Sequence, residues 1–530
     1  MNRASIILRT IALLVASGAL LIGQTPAYLK QVKALHEAMK GKSAFARIKA
    51  VKAFQDCGDA AGVKILIGHL SGNEKELGKV RTRYEKIGKK LHAELAKITN
   101  VPLTRGQMAA AQARIRPLED EHNKLDERIV GLERVSKALT RGVGNLVKSV
   151  PIERRQRAIQ EVVQAYEWAG KPEDKALALR TMAWVDEPMV VTTVMGAAQL
   201  ARNPGVRVAA LETMAQIARP EMAKVAIDAL NDKFWQVRVA AIAVIKQVGG
   251  KESIEPLIVA LEHAEGRMVD ELVGAMKHLT KINHHDNVAL WRDWWKRSED
   301  RFEGRGAKGG VPGEVADATK DQRGVGTYFY GIQTRSKHII YVLDISGSMR
   351  WTLETRYREG AGGLPPDAPE GKSKLDNAVN ELLQSTTGLP ETGTFNMITY
   401  AIEHDIWKKK MQKASGSSKR AARKWAKALK ADGATNIFDA LERAFKLVGR
   451  GSFDAGYGLA ADTIFFLSDG QANRGRVVAP EAMLREIRKL NDLKKVQIHC
   501  IGLGSSTDAR FMRRLAEENN GQYVHIGPGR

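Results

Sequence analysis

The sequence predicts a multidomain α plus α/β chain: an α-solenoid with a coiled-coil hairpin in its N-terminal half, and a doubly wound, Rossmann-like α/β domain at its C-terminal end. Three observations carry this reading. Beyond about residue 327, apolar strands alternate with amphipathic helices. A short segment, Val206-Arg207-Val208-Ala209-Ala210-Leu211, returns 31 residues later as Val237-Arg238-Val239-Ala240-Ala241-Ile242. Apolar residues recur every seven positions between 73 and 147.

Residues 1–27 read as an export signal or an N-terminal anchor. Arg3 and Arg9 precede an apolar run at 11–22, too short for a membrane span and suited to the core of a signal peptide. The small residues of Thr25-Pro26-Ala27 suit cleavage and Pro26 disfavours it, so a cleaved signal and a retained anchor both stand. The chain is expected to be exported, to a periplasm or a cell surface. Export permits disulfides, but the two cysteines, Cys57 and Cys500, fall in different predicted domains. Neither a disulfide nor cysteine chemistry is expected.

Residues 28–72 read as one helical repeat, with helices at 44–54 and 60–70 joined by Asp56-Cys57-Gly58-Asp59. Over 73–147, Leu77, Tyr84, Leu91 and Ile98 keep a seven-residue spacing. Beyond a turn holding Asn100, Pro102 and Gly106, so do Ala111, Leu118, Leu125, Leu132, Leu139 and Leu146. These heptads predict an antiparallel coiled-coil hairpin that projects from the repeats, with Pro117 kinking its second arm. Residues 148–302 carry the internal repeat, with small residues for close helix approach and an arginine placed to bond the next repeat. It resembles HEAT repeats, with a shorter period. Trp291, Trp294 and Trp295 share a helical face and are expected to pack, and His284-His285-Asp286 to form a solvated loop. Gly304, Gly306, Gly309, Gly310, Gly313, Gly324 and Gly326 mark a linker at 303–326.

Residues 327–530 predict strands at 338–343, 395–401, 463–467, 496–501 and 522–526, separated by helices. Such sheets bind ligands beyond the carboxyl ends of their strands. Three segments put oxygen ligands there. Asp344, Ser346 and Ser348 follow the first strand. Thr435 sits in Asp432-Gly433-Ala434-Thr435-Asn436, just before a helix. Asp469 sits in Leu467-Ser468-Asp469-Gly470 at the end of a later strand. Oxygen-only donors suit a hard cation, Mg²⁺, with Mn²⁺ or Ca²⁺ as alternatives.

This order of segments resembles the von Willebrand factor A (VWA) domain, whose Asp-x-Ser-x-Ser motif opens a metal-ion-dependent adhesion site. The resemblance implies that Ser346, Ser348 and Thr435 contact the metal directly, and that Asp344 and Asp469 act largely through water. It also implies a protein partner that offers an Asp or Glu carboxylate to the metal. The family often has Gly-Gly before the threonine, where this chain has Gly433-Ala434. Alanine is tolerated there unless that position needs φ > 0.

The formal charge of +23 predicts attraction to anionic partners. Between 406 and 431 stand Lys408, Lys409, Lys410, Lys413, Lys419, Arg420, Arg423, Lys424, Lys427 and Lys430, with no acid. This run is either a solvated face or a docking surface for an acidic protein, an anionic lipid or a wall polymer. Nucleic acid is not expected, given the export signal and the lack of a nucleic-acid motif. There is no Gly-x-Ser-x-Gly elbow, no Walker loop and no histidine placed to serve Ser346 or Ser348. The expected function is therefore a protein-interaction or adhesion module, not an enzyme. An electrostatic envelope scaffold is the first alternative and a metal-dependent hydrolase the second. Loops at 351–371 and 449–458 flank the predicted site.

Overall fold

The computed structural model describes residues 26–98, 103–302, 327–353, 372–449 and 460–527. Residues 1–25 of the predicted export segment, Asn100 and Pro102 of the hairpin turn, the 303–326 linker and most of the loops 351–371 and 449–458 lie outside the described residues. Among the described residues, no helix is long and apolar enough to cross a membrane.

The N-terminal half is helical: α1 (Pro26–Lys40), α2 (Ala44–Phe54), α3 (Ala61–Ile98), α4 (Arg105–Ser149), α5 (Ile152–Glu167), α6 (Pro172–Met182), α7 (Pro188–Leu200), α8 (Pro204–Ile217), α9 (Met222–Asp228), α10 (Trp235–Val248), α11 (Ile254–Glu262), α12 (Arg267–Thr280) and α13 (Val288–Ser298). Helices α6, α7 and α8 begin with proline, at a position where the missing N–H would have no partner anyway. The repeated segments open onto buried faces of α8 and α10. Arg207 holds Asp232 with two hydrogen bonds of 2.8 and 3.0 Å, tying α8 to the turn before α10. Trp291, Trp294 and Trp295 are buried in the core of the repeats, with Phe302 against two of them. Cys57 and Cys500 are both free thiols.

Helices α3 and α4 run antiparallel, as the pairs Asn73–Ser136, Arg83–Glu121 and Arg114–Glu94 require. They do not project. Leu77, Tyr84, Ile129 and Leu132 share a core with the C-terminal domain, so the middle of the hairpin is clamped rather than solvated. Helix α4 also continues through Pro117. Pro117 is exposed, so water can take the carbonyl it leaves unpaired.

The C-terminal domain begins with a hairpin, β1 (Thr327–Phe329) and β2 (Ile332–Thr334), outside the main sheet. The main sheet contains β3 (His338–Asp344), β4 (Thr394–Tyr400), β5 (His404–Ile406), β6 (Gln412–Lys413), β7 (Thr463–Ser468), β8 (Gln497–Leu503) and β9 (Tyr523–Ile526). Its order is β5-β4-β3-β7-β8-β9, with β6 also paired to β4. Strands β4, β3, β7, β8 and β9 run parallel to one another, and β5 and β6 pair antiparallel with β4. Alternation sorts their side chains. Ile340, Val342, Phe466 and Cys500 face α16 (Ile437–Val448), α17 (Pro480–Asn491) and α18 (Ala509–Glu517). Ile339, Tyr341, Leu343 and Phe465 face α14 (Lys374–Gly388) and α15 (Gly416–Lys427). Both faces are covered, which explains the near-continuous apolar strands.

The helical half docks on the edge of the sheet where the parallel strands begin. Arg267 of α12 is buried and donates to the carbonyls of Asp462 (3.0 Å) and Lys495, just before β7 and β8. Arg335 pairs with Asp270, and Arg180 with Asp492. This docking overturns one expectation. His284 and Asp286 are buried, not solvated: His284 packs edge-on to Trp291, and Asp286 lies 3.8 Å from Arg335 of the C-terminal domain.

Two histidines, His499 buried and His69 half-buried, are expected to make the fold sensitive to acid. Burial, and then the charge of Arg267, pull His499 of β8 from 6.5 down to about 3. Burial, and then His36 at 2.7 Å, pull His69 of α3 from 6.5 to about 4. Both pKa values are depressed in the fold, so the unfolded chain binds protons first and stability falls as pH drops from 6.5 toward 3. The melting temperature is expected to decline over that window, and less steeply in His499→Gln. Equal slopes for both proteins would show that His499 is not a source of the acid sensitivity.

Candidate metal centre

Strand β3 is the centre of the sheet, with β4 on one side and β7 on the other. The chain order reverses between β3 and β7, and the crevice beyond such a reversal is where this architecture binds ligands. Asp344 ends β3, and Asp469 directly follows β7. Neither residue is exposed.

Four of the five predicted residues are joined directly. Asp344 accepts from the Ser346 N–H at 2.8 Å and from the Ser468 hydroxyl at 2.9 Å. The Ser346 and Ser348 hydroxyls lie 3.2 Å apart, and Ser348 donates to Asp469 at 2.8 Å. Thr435 joins through its loop: the Gly347 N–H reaches the Gly433 carbonyl at 2.9 Å, and the Thr435 N–H donates to Asn473 Oδ1 at 2.8 Å. Arg350 closes the same pair of loops by holding Asp432 at 2.7 Å and the Ala431 carbonyl.

The loop's backbone settles a point the sequence left open. Gly433 takes φ +80°, whereas Ala434 is not among the residues with positive φ, so alanine at that position is unstrained. Gly475 is required nearby: a Cβ there would lie 2.0 Å from the Asn436 side chain. Asn436 caps α16, and Asp439 in turn binds Arg476, so the Thr435 segment sits in a built network.

The donors fit a divalent cation. They are two carboxylates and three hydroxyls, all oxygen, which is hard-cation chemistry. The Thr435 hydroxyl has no hydrogen-bond partner among the described residues and can serve as a ligand. Burial, and then the charge of Asp469, hold the Asp344 carboxyl well above the ordinary aspartate range. A pocket that disfavours its own negative charge gains from a cation. Among the described residues, no group of three or more His, Cys, Asp and Glu could hold a metal, so a metal here would need the hydroxyls as donors.

Three participants were not foreseen from the sequence: Ser468, Asn473 and Lys374. Ser468 ends β7 and Asn473 lies in the loop after it, and neither carries a signal of its own. Lys374 opens α14 and is buried, with its ammonium 2.9 Å from Asp469 Oδ2.

Residues 368–525 match the family of the von Willebrand factor type A domain. The C-terminal domain is a VWA domain. The matched segment contains Thr435 and Asp469 but begins after Asp344, Ser346 and Ser348, which reach the VWA site through β3 of the same sheet. Human inter-alpha-trypsin inhibitor heavy chain H3 is 26% identical over 192 residues, 36% of this chain and 19% of that protein. Human von Willebrand factor A domain-containing protein 3A is 29% identical over 165 residues, 31% of this chain and 12% of that protein. The chain thus spans less than a fifth of either relative. A solved structure of proximal thread matrix protein 1 from the mussel byssus, with a zinc-occupied MIDAS motif, is 21% identical. It covers 36% of this chain and 41% of its own, at a TM-score of 0.25, too low to support an argument about this chain. The helical half is consistent with repeats; the family match itself lies wholly in the C-terminal domain.

Proposed function

We propose that the chain is an exported, non-enzymatic interaction module that captures an acidic group of a protein partner at its VWA metal centre. The observation that carries this is the bonded cluster Asp344–Ser346–Ser348–Asp469 at the switch point of the sheet, with Thr435 on the adjoining loop. A divalent cation held there, Mg²⁺ in first place, would offer an open coordination position to an Asp or Glu carboxylate. The chain's own part is to orient three hydroxyls and exclude competing protein ligands. Ser346 and Ser348 are bonded to each other and Ser348 to Asp469, no imidazole among the described residues bonds either hydroxyl, and we assign them no catalytic step. The helical half supplies a second surface and a rigid mount: α12 grips the edge where the parallel strands begin, and the hairpin reaches the other edge, where His92 lies 2.7 Å from Glu403 in the loop after β4.

The test is a pull-down of envelope extract on the purified protein in Mg²⁺ and in EDTA, with Asp344→Ala alongside. A partner kept only by the unmodified protein in Mg²⁺ is expected. Retention by all three would overturn the metal bridge.

One observation favours a second reading. Lys408, Lys409, Lys410, Lys413, Arg420, Arg423, Lys424, Lys427 and Lys430 are exposed, and none of them is in an ion pair among the described residues. This face would let the chain act as an electrostatic scaffold on an anionic lipid or wall polymer. Binding that vanishes with added salt and ignores EDTA belongs to that reading.

A further inference from the structure

Among the described residues, Lys374 is the one cation inside the centre. Its place is fixed from several directions. Ser373 and Asp376 form a capping box that starts α14 at Lys374. The Lys374 N–H donates to the Trp351 carbonyl at 2.7 Å. Gly504, at the end of β8 with φ +72°, leaves the room the side chain fills: a Cβ there would stand 3.1 Å from Lys374 Cε and 3.2 Å from Nζ. The side chain is 3% exposed and Asp469 is fully buried, so the pair is shielded from salt. The two Asp469 oxygens are divided: Oδ2 takes Lys374 and Oδ1 takes Ser348. The ammonium therefore leaves free the side of the carboxylate that faces the hydroxyls.

We propose that Lys374 is a tethered counter-cation that sets the charge of the metal centre, weakening divalent-cation binding and leaving the loaded centre positive. The inference rests on the metal-centre reading above. With both carboxylates ionised, Asp344, Asp469 and Lys374 together carry one negative charge. A divalent cation turns that into one positive charge, which an incoming carboxylate neutralises. Without Lys374 the same cation would enter a doubly negative pocket and leave it neutral, with no charge left over to draw an acidic ligand. Lys374 thus trades metal affinity for a demand for an anion. It also holds Asp469 when no metal is bound, so the pocket is built before the cation arrives. Lys374 is a positioning residue, since it acts through Asp469 and through its charge.

The experiment is calorimetric titration of Mn²⁺ into the full chain, its Lys374→Gln and Lys374→Arg variants, and Asp344→Ala, with thermal melts of each metal-free protein. Glutamine keeps a donor for Asp469 and removes the charge; arginine keeps the charge. The expected result is that Lys374→Gln binds Mn²⁺ about ten-fold tighter or more, because a like charge is gone from a low-dielectric pocket. Its metal-free melting temperature falls, because two buried carboxylates lose their counter-ion. Lys374→Arg stays near the unmodified protein in both. A merely structural lysine would give the same sign in both readouts, a lower melt and weaker metal. Equal or weaker Mn²⁺ binding in Lys374→Gln, or tighter binding in Lys374→Arg, overturns the proposal while the metal centre stands. No Mn²⁺ binding by the unmodified protein or by Lys374→Gln overturns the metal centre itself. If Lys374→Gln folds only with metal, a larger Mn²⁺-induced rise in melting temperature than in the unmodified protein supports the proposal, and a smaller one overturns it.

Discussion

Replacing Asp344 by asparagine is expected to lower divalent-cation affinity by about 10- to 100-fold, the usual effect of losing a group that acts on a metal at one remove. The same change is expected to leave the metal-free protein as stable as before, or more so. Both signs follow from the same geometry. Asparagine keeps an acceptor for the Ser346 N–H, now 2.8 Å from Asp344 Oδ1. Its amide faces the Ser468 hydroxyl, which can accept from it and turn its own proton to the Gly470 carbonyl, 3.3 Å away. No hydrogen bond need be lost. The charge is lost, and that charge is unfavourable in the empty pocket. Burial and Asp469 hold the Asp344 carboxyl above the ordinary aspartate range, so the fold resists its ionisation. The measurement is a Mn²⁺ titration with a metal-free melt of each protein. An asparagine variant that binds Mn²⁺ as well as the unmodified protein would remove Asp344 from the centre. One that melts far lower without metal would make Asp344 a structural cap instead. Set beside the Lys374 variants, the two substitutions move metal affinity and metal-free stability in opposite directions, as two charges of opposite sign in one pocket must.

Much of this architecture was legible because burial leaves a mark on sequence. Strand β3 is covered on both faces and reads as an unbroken apolar run that a carboxylate ends. The helices α14, α15, α16, α17 and α18 fall close to the helical segments that the sequence marks at 373–387, 417–430, 436–448, 480–491 and 508–519. Edges left weaker marks. Strand β5 (His404–Ile406) is short and partly exposed, and β6 is two residues within a basic run, so neither shows a pattern. The β1–β2 hairpin follows glycine-rich sequence and has only three residues in each strand.

What sequence could not convey was which apolar face meets which. Tyr84 and Leu132 fit a heptad seam, but their side chains also serve the VWA core beside Phe438 and Met483. A two-helix seam and a three-body junction have the same spacing. His284 and Asp286 read as polar loop because nothing local says that a second domain will cover them. Lys374 is the clearest case. A lysine in the first turn of a helix reads as solvated, and its burial depends on Gly504, 130 residues away just beyond β8.

Substituting Arg267 by alanine is expected to separate the two halves of the molecule in a thermal melt. Arg267 is 2% exposed and serves four groups at once. It donates to the carbonyls of Asp462 and Lys495, it pairs with Glu271 at 2.7 Å, and its guanidinium lies 5.1 Å from the centre of the Trp235 ring. Asp462 is itself a junction. Its N–H reaches the His338 carbonyl at the start of β3, and its carbonyl accepts from the Gln497 N–H at the start of β8. Alanine would leave two carbonyls short of a donor and the Glu271 carboxylate in a buried interface without its partner. Removing one member of such a buried pair costs about 3–5 kcal/mol. Lysine should recover only part of this, because a single ammonium cannot span the carbonyls and Glu271 as the planar fork does. Calorimetry is expected to show two unfolding steps in Arg267→Ala where the unmodified protein shows one. A single step displaced by a degree or two would place the docking energy in the hairpin seam at Tyr84 and Leu132 instead. The same variant carries a second signature. Burial does most to depress His499 and the charge of Arg267 adds to it, so removing Arg267 lets the His499 pKa rise above about 3 while burial still holds it below 6.5. The gap between folded and unfolded states narrows, and with it the span of pH over which acid costs stability. An alanine variant that is less stable at neutral pH, yet loses less on going to acid, would tie both effects to one guanidinium at the base of the sheet.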